Sequence, residues 1–271
     1  MRPAPNRSLG EMVVARPLLQ YKTAQPSLRA LPGFDSLKAK IKTWIKRRVG
    51  VPQIEFALER LARIGFTPRL VFDAGAYQGD FARIIRNIWP GAEIASFEVQ
   101  PAPLRRLQAA FANHGKLKVF PCLLGATAVE KVALNLNETA SSILKDQNQN
   151  GGLLPSDFFP MRTVDDIVRS EFGGRAPELL KMDVQGYELE ILRGAEKSLP
   201  AIRAVLLEVN LIDIYKDVPL VGEVSEWLRQ RGWVLYDICG FTRRPLDQAL
   251  WQADMIFIPE NSPLRASKKW D

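Results

Sequence analysis

Short apolar runs alternate with amphipathic segments along most of the chain, and this alternation restricts the possible folds more than any other feature of the sequence. LVFDAGA (70–76), EIASFEV (93–99) and LKVFPCLL (117–124) have the length and composition of buried strands. The segments 80–89 and 101–113 between them place apolar residues at helical spacing. Strands and helices in strict alternation favour right-handed crossovers and a parallel sheet with helices on both faces. We therefore predict an α/β fold.

The alternation weakens in the middle of the chain and then resumes. KVALNLNE (131–138) is predicted to be an edge strand, residues 147–160 a loop, and TVDDIVRSEF (163–172) a helix with a capping box formed by Thr163 and Asp166. The later predicted elements are a strand at ELLKMDV (178–184), a helix at 187–199, a strand at AVLLEVN (204–210) and a helix at about 220–231.

The end of the chain discriminates between two common kinds of parallel α/β sheet. WVLYDIC (233–239) and ADMIFIP (253–259) are predicted strands, and the segment between them is short and contains Pro245. A parallel crossover needs about a dozen residues or more, usually with a full helix, so these strands are predicted to form an antiparallel pair. A sheet that ends in an antiparallel hairpin is typical of class I methyltransferases, whereas the dinucleotide-binding fold ends in a parallel strand.

The positive charge of the chain is concentrated near its N-terminus. Residues 1–50 hold eleven Lys and Arg against two acidic residues, whereas the remainder holds 26 basic and 28 acidic residues. The stretch LKAKIKTWIKRR (37–48) places its apolar residues at helical spacing and most of its cations on the other faces. The apolar residues are Leu37, Ile41, Trp44 and Ile45.

Two explanations fit this basic amphipathic segment. It contacts an anionic membrane surface, where each basic residue contributes about 1 kcal/mol, or it is a solvated helix that packs Trp44 on the main domain. The second explanation is preferred, because a single short helix is marginal without more apolar surface. Nucleic acid is not a predicted partner, because the body of the chain does not continue the mixture of basic and aromatic residues.

The chain is predicted to consist of an arm and one main domain. Residues 1–35 contain five prolines and no sustained period, so residues 1–49 are predicted to form a basic arm with a short helix and residues 50–271 the main domain. No apolar run approaches the roughly 18 residues needed to cross a bilayer, and the N-terminus lacks the apolar core of a secretory signal. A cytoplasmic location is expected, with a peripheral position at the inner membrane face as the alternative. Cys122 and Cys239 are predicted to be buried thiols.

The first predicted strand runs into a glycine turn, FDAGAYQGDF (72–81). Gly75 and Gly79 have a GxxxG spacing, which differs from the GxGxxG that lets a pyrophosphate approach a helix. Asp73 is a candidate acceptor for the ammonium of an amino-acid moiety, and Gly75 lets the backbone come close to a ligand. Glu98, at the end of the second strand, is a candidate acceptor for both hydroxyls of a ribose. Alternatively, the glycines serve only the turn and Glu98 only a helix start.

These motifs resemble those of the FkbM-type S-adenosylmethionine-dependent methyltransferases. VFDAGAYQGDF, SFEVQP, the TVDD helix start and above all LLKMDVQGYELEILRGAEKSL followed by LLEVN are similar to family motifs, over residues 65–259. Many members have Asn at the position of Tyr77 and Glu at that of Gln185. The resemblance implies a Rossmann-like class I methyltransferase fold, S-adenosylmethionine as cofactor, and O-methylation of a hydroxyl on a sugar, glycan or other small molecule. The residues that it places at the cofactor are Asp73, Gly75, Tyr77, Gly79 and Glu98.

Methyl transfer to a hydroxyl requires alignment of the acceptor and a base that removes its proton. The only histidine, His114, is predicted to end a helix and face solvent. Carboxylates at the C-terminal ends of strands are therefore the candidates, with Asp183 the first choice for the base and Glu208 the second. Alternatively, Asp183, Glu208 and Asn210 hold a divalent cation, but three ligands from two strands are a weak signal and no metal is predicted. Glu188 is explained by the start of a helix.

Two further functions stay open at this point. A dinucleotide-dependent oxidoreductase would bind NAD, but the glycine turn and the final hairpin disfavour it. A catalytically inactive family member would serve as a membrane-associated interaction protein, which Tyr77, Gln185 and the basic arm suggest.

Overall fold

Helices and strands alternate over residues 54–120 and again over residues 164–243. The structure, a computed structural model, describes residues 34–136, 141–144 and 156–270, with side chains from residue 41 onwards. The helices in these ranges are α1 (Phe34–Arg48), α2 (Ile54–Arg63), α3 (Asp80–Ile88), α4 (Pro101–Ala110), α5 (Val164–Glu171), α6 (Glu188–Arg193) and α7 (Val221–Arg229). The strands are β1 (Leu70–Ala74), β2 (Glu93–Phe97), β3 (Leu117–Phe120), β4 (Leu123–Leu124), β5 (Val129–Asn135), β6 (Ser156–Arg162), β7 (Leu179–Met182), β8 (Ala204–Asn210), β9 (Trp233–Arg243) and β10 (Leu250–Pro259).

Seven strands form the central sheet, in the order β3-β2-β1-β7-β8-β10-β9. Neighbouring strands from β3 to β8 are parallel, whereas β10 runs antiparallel to both β8 and β9. The predicted antiparallel pair at the end of the chain is therefore confirmed, and its strands are longer than predicted. This strand order confirms the predicted Rossmann-like class I methyltransferase fold.

A second sheet holds three strands in the order β4-β6-β5, and two predictions fail within it. The single strand predicted over residues 117–124 is divided at Pro121, which has no N–H to donate to a sheet, so β3 and β4 belong to different sheets. The loop predicted over residues 147–160 is wrong at its end, where β6 begins at Ser156. Residues 145–155 lie outside the described ranges.

Two helices differ from their predictions in detail. α6 ends at Arg193, well before residue 199, and Gly194 follows it as a poor helix former. α5 begins after Thr163, whose hydroxyl accepts a hydrogen bond from the backbone N–H of Asp166 at 3.0 Å. This is one half of the predicted capping box. The Asp166 carboxylate binds Arg162 instead of the backbone of Thr163.

The two faces of the central sheet bury separate apolar clusters. Alternation along β1 sends Phe72 to the face covered by α5, α6 and α7, and Val71 to the face covered by α2, α3 and α4. Each large apolar side chain that is fully buried in these clusters contributes about 1.5–3 kcal/mol. Cys122 and Cys239 are buried free thiols, as predicted.

The chain divides into two units, Met1–Val49 and Gly50–Asp271. In the first unit the structure describes α1, where the side chain of Trp44 is 65% exposed. All ten strands named above belong to the second unit. Within the described ranges, no helix combines the length and the apolar character that a bilayer crossing requires.

Candidate active site

A cavity of about 340 Å³ opens at the C-terminal ends of β1, β2 and β7. Parallel α/β sheets bind their ligands at this edge, and sites for small molecules and cofactors measure about 300–1,000 Å³. The walls come mainly from the glycine turn after β1, residues 97–100, residues 122–124 and residues 183–187. Several of the residues predicted from the sequence therefore meet around one cavity.

The glycine turn after β1 has three residues in the left-handed region, Gly75 (φ 72°), Tyr77 (φ 47°) and Gly79 (φ 89°). Gly75 is required for a close approach, since a Cβ there would lie 1.9 Å from the carbonyl oxygen of Asp183. A Cβ on Gly79 would lie 2.8 Å from the side chain of Leu107, so this glycine serves the packing of α3 on α4. Gly75 and Tyr77 line the cavity, whereas Gly79 is not among the described residues that line it.

Glu98 lies at the cavity wall and ties the glycine turn to α4. Its Oε2 accepts a hydrogen bond from the backbone N–H of Tyr77 at 2.8 Å, and its Oε1 accepts one from Gln100 at 2.7 Å. Burial raises the pKa of this carboxyl, and the two backbone donors counteract that rise. Each oxygen keeps a second lone pair, so the carboxylate is oriented and still able to accept hydroxyl donors.

Asp73 lies below the cavity, at 0% exposure, and the described cavity residues do not include it. Its Oδ1 lies 3.2 Å from Lys181 Nζ, although neither carboxylate oxygen has a hydrogen-bonding partner of good geometry in the described part of the chain. Burial raises the pKa of Asp73, and the charge of Lys181 opposes this. The geometry therefore does not support a direct contact between Asp73 and a ligand ammonium, because strand alternation turns this side chain towards Lys181.

Lys181 is the site residue that the sequence analysis did not identify. Its Nζ donates a hydrogen bond to the carbonyl oxygen of Gly75 at 2.9 Å and lies 3.7 Å from Asp183 Oδ2. Burial disfavours the ammonium, but the carboxylates of Asp73 and Asp183 outweigh it and raise the pKa of Lys181. The sequence did contain a signal for this residue, because Lys181 lies inside the apolar run ELLKMDV. A buried charge is costly unless it is paired, so a lysine in a buried strand indicates a nearby acid.

Asp183 follows β7 and borders the cavity with a side chain that is 43% exposed. Its backbone N–H donates to the carbonyl oxygen of Ala74 at 3.1 Å, which fixes it beside the glycine turn. Its Oδ1 accepts a hydrogen bond from Gln185 Nε2 at 3.2 Å. The position predicted for the catalytic base therefore holds an oriented and accessible carboxylate.

Glu208 occupies a different environment from Asp183, behind the cavity wall. Its Oε2 accepts hydrogen bonds from Gln185 Nε2 and Gln252 Nε2, both at 2.8 Å. Burial and the nearby Asp183 charge raise the pKa of Glu208 to about 9, which favours the protonated carboxyl at neutral pH. A protonated acid cannot accept a proton, so this environment does not favour Glu208 as the base.

The alternative of a divalent cation finds no support at this position. Gln185 Nε2 stands between the carboxylates of Asp183 and Glu208, and Gln252 Nε2 lies 3.4 Å from Asn210 Oδ1. Amide donors thus occupy the space between these oxygens, where a shared cation would have to lie. In the described part of the chain no three acidic, His or Cys side chains are grouped closely enough to hold a metal.

The other two polar candidates have structural roles. Glu188 Oε1 accepts hydrogen bonds from the backbone N–H groups of Val184 at 3.0 Å and Gly186 at 3.2 Å, which orders the turn before α6, and burial raises its pKa to about 7. The ring of His114 lies edge-on to that of Phe111 with 5.3 Å between centroids. His114 is not one of the described residues around the cavity, so a catalytic role is not supported.

Three solved structures are similar to the chain at low identity. The magnesium protoporphyrin IX methyltransferase from Synechocystis PCC 6803 with bound S-adenosylmethionine is 12% identical, with 79% of this chain and 82% of that chain covered and a TM-score of 0.43. An rRNA methylase from Streptococcus thermophilus is 14% identical, with coverages of 74% and 92% and a TM-score of 0.42. Fibrillarin from Aeropyrum pernix, in complex with S-adenosylmethionine, is 13% identical, with coverages of 72% and 68% and a TM-score of 0.40.

Neither an acceptor nor a mechanism follows from similarities at these TM-scores. Because one of the three is described as an rRNA methylase, they give no support to the expectation that nucleic acid is not a partner. No curated protein matches the chain.

The methyltransferase FkbM domain matches residues 73–235, which is more than half of the chain. This range contains the glycine turn, Glu98, Lys181, Asp183 and Glu208, so it includes most of the cavity. The match supports the predicted cofactor, S-adenosylmethionine. The chain belongs to the FkbM family of methyltransferases.

Proposed function

We propose that the chain transfers a methyl group from S-adenosylmethionine to a hydroxyl of a sugar, glycan or other small natural product. One observation carries the proposal: Asp183 is an accessible carboxylate at the edge of the cavity, held beside the glycine turn through Ala74. A base at this position suits an acceptor that must lose a proton as it is methylated.

The residues around the cavity fit S-adenosylmethionine, which combines an adenosine, an amino-acid moiety and a sulfonium charge. Glu98 offers two oriented carboxylate oxygens for ribose hydroxyls. Phe97 and Leu123 provide apolar surface for a base ring, and Asp80 and Asp183 provide negative charge for a cation. When bound, the cofactor supplies an electrophilic methyl group. The chain contributes alignment, which is worth up to about 7–11 kcal/mol.

Asp183 is the proposed base, and two neighbours orient it without burying it. Gln185 Nε2 donates to its Oδ1 at 3.2 Å, and Lys181 Nζ lies 3.7 Å from its Oδ2. The remaining lone pairs are accessible from the cavity and can accept the proton of a hydroxyl. A base positioned in this way contributes about 10²–10⁴ in rate.

Calorimetry of the full chain with S-adenosylmethionine, S-adenosylhomocysteine and NAD tests the cofactor. We expect both sulfur ligands to bind and NAD not to bind. Glu98→Gln should weaken the binding of both by about tenfold, since one charged acceptor for the ribose is lost. Glu130→Gln, at an exposed position of β5, is the matched control and should leave affinity unchanged.

The outcomes separate the proposed function from the alternatives. Failure of both sulfur ligands to bind would refute it, and binding of NAD alone would favour an oxidoreductase. Binding of the sulfur ligands without methyl transfer to any acceptor would favour an inactive interaction protein.

The base is tested by measuring transfer of a tritiated methyl group to a panel of monosaccharides and polysaccharides. Asp183→Asn should lower the rate by about 10²–10⁴ while the affinity for S-adenosylmethionine is kept. Asp157→Asn, which changes an exposed carboxylate on β6, is the control. If Asp183→Asn and the control have equal rates, Asp183 is not the base. If the methyl group is found on nitrogen, the assignment to a hydroxyl is wrong.

A further inference from the structure

Helix α1 and the residue that follows it, Val49, have large apolar side chains that are exposed. Ile41 is 49% exposed, Trp44 65%, Ile45 48% and Val49 68%. Single exposed apolar residues are normal on protein surfaces, but here four are concentrated within nine positions of one segment. Packing of Trp44 on the main domain, the explanation preferred from the sequence, stays a prediction.

The apolar residues of α1 share one side of the helix. Steps of three and four residues place Ile41, Trp44 and Ile45 on a common face, while Lys42 and Lys46 project from the adjacent flank. The basic residues Lys46, Arg47 and Arg48 form the last turn. From residue 36 to residue 54 the sequence contains no Asp or Glu, so the net charge of this stretch is positive.

We propose that α1 binds membranes that contain anionic lipids. Ile41, Trp44 and Ile45 would enter the boundary between headgroups and acyl chains, and Lys42 and Lys46 would contact the lipid phosphates. A helix with exposed apolar residues on one face and cations beside them matches a lipid surface in both polarity and charge. Tryptophan favours this boundary because its ring is amphipathic. The helix lies in the membrane plane and does not cross the bilayer.

Nucleic acid is the other polyanion that a basic helix could bind, and the apolar face argues against it. Binding to a phosphodiester backbone would engage Lys42 and Lys46 but would leave Ile41 and Ile45 in water. Of the two partners, a lipid surface alone offers phosphates to the cations and also removes the apolar groups from water. In addition, beyond residue 50 acidic residues outnumber basic ones by 28 to 26, so the excess charge does not continue into the main domain.

The proposal is tested by sedimentation of the full chain with vesicles of phosphatidylcholine, alone or mixed with phosphatidylglycerol. We expect binding to the mixed vesicles that decreases with salt, and at least about tenfold weaker binding to phosphatidylcholine alone. Equal binding to the two kinds of vesicle, or no binding to either, would overturn the proposal.

Two pairs of variants locate the contact, each with a control of identical chemistry at the other end of the chain. Lys42→Gln/Lys46→Gln should weaken the partition by about 25-fold, at about 1 kcal/mol for each lysine, whereas Lys268→Gln/Lys269→Gln changes net charge equally and should have little effect. Trp44→Ser should weaken it by about tenfold, and Trp270→Ser, at a residue that is fully exposed, should not.

The same variants decide between lipid and nucleic acid. Equal losses for the α1 variants and their controls would mean that α1 is not the contact, and the proposal would fail. A duplex RNA offered to the full chain should not compete with vesicles for α1. If RNA displaces the chain from vesicles and the Lys42→Gln/Lys46→Gln variant loses RNA binding while Trp44→Ser keeps it, a nucleic acid is the partner instead. Unchanged affinity for S-adenosylmethionine in every variant verifies that the main domain remains folded and separates this test from that of the proposed function.

Discussion

The ammonium group of Lys181 lies 3.2 Å from the Oδ1 atom of Asp73, and both side chains are almost fully buried. The same Nζ donates to the carbonyl oxygen of Gly75 at 2.9 Å. A single buried cation therefore neutralises Asp73 near the end of β1 and holds the glycine turn against β7. Buried ion pairs are costly to form, but removal of one partner leaves the other charge alone at a larger cost.

Lys181→Met should destabilise the protein by about 3–5 kcal/mol, because Asp73 would keep its burial and lose its partner. The free energy of unfolding in urea measures this effect. Lys118→Met is the control, since Lys118 is 53% exposed and its pairing with Glu93 at 3.6 Å should contribute less than about 1 kcal/mol.

The double variant Asp73→Asn/Lys181→Met should recover much of the lost stability, because it removes both charges. A single Lys181→Met variant that loses no more stability than Lys118→Met would show that the buried pair does not contribute in this way.

Gly75→Ala should disrupt the turn beside the cavity. Gly75 has φ 72°, and a Cβ on it would meet the carbonyl oxygen of Asp183 at 1.9 Å, so the backbone of one segment must move. We expect a loss of about 3 kcal/mol or more of stability and at least tenfold weaker binding of S-adenosylmethionine. Unfolding in urea and calorimetry measure the two effects.

Gly115→Ala is the control for this substitution, because a Cβ on Gly115 would meet nothing within 4 Å. Its stability and its affinity for the cofactor should match those of the wild type. Wild-type affinity in Gly75→Ala would mean that the cavity tolerates a displaced turn.

The central sheet could be predicted because its strands are buried on both faces. β1 and β8 are mostly apolar and almost fully buried, and the short segment before β10 excludes a parallel crossover. The second sheet could not be predicted in the same way. β6 is largely exposed and pairs through Met161 with Leu123, which lies far from it in the sequence, so no local pattern marks the pair.

The sequence predicted which strand ends form the candidate site more accurately than it predicted how deeply each side chain is buried there. Strand ends indicated where Gly75, Glu98 and Asp183 would meet, and all three line the cavity. Alternation along a strand gives the direction of a side chain but not its surroundings. The sequence pattern therefore does not reveal that Asp73 is buried against a lysine or that Glu208 is enclosed by amides.

Glu208 should make the stability of the protein decrease as the pH rises. Burial raises the pKa of Glu208 from 4.5 to about 9, so the folded state binds this proton more tightly than the unfolded state. The stabilisation is complete below the unfolded value and is lost as pH rises through about 9, with a slope of at most about 1.4 kcal/mol per pH unit.

Glu208→Gln should remove this contribution while keeping the size of the side chain. The variant should gain stability relative to the wild type as the pH increases from neutral to alkaline values, as measured by urea unfolding at several pH values. Glu190→Gln, in the first turn of α6, serves as the comparison. A difference between wild type and Glu208→Gln that does not change with pH would mean that Glu208 is ionised at neutral pH.

Gln185 connects the proposed base to Glu208. Its Nε2 donates to Asp183 Oδ1 at 3.2 Å and to Glu208 Oε2 at 2.8 Å, and its Oε1 accepts from Tyr215 at 3.1 Å. The residue has φ 56°, so the backbone as well as the amide directs it between the two acids. The amide of Gln185 supplies a hydrogen-bond donor that a carboxylate could not.

Gln185→Glu replaces this donor by a third acid beside two others. Like charges disfavour ionisation of the base, so the acidic limb of the pH–rate profile for methyl transfer should move to higher pH by about one unit. Gln248→Glu is a matched control, because Gln248 also has a positive φ, 63°, and lies far along the chain in the β9–β10 hairpin. Its profile should coincide with that of the wild type. An acidic limb that stays in place in Gln185→Glu would mean that the group titrating in that limb is not the carboxylate next to Gln185, and Asp183 would lose its assignment as the base.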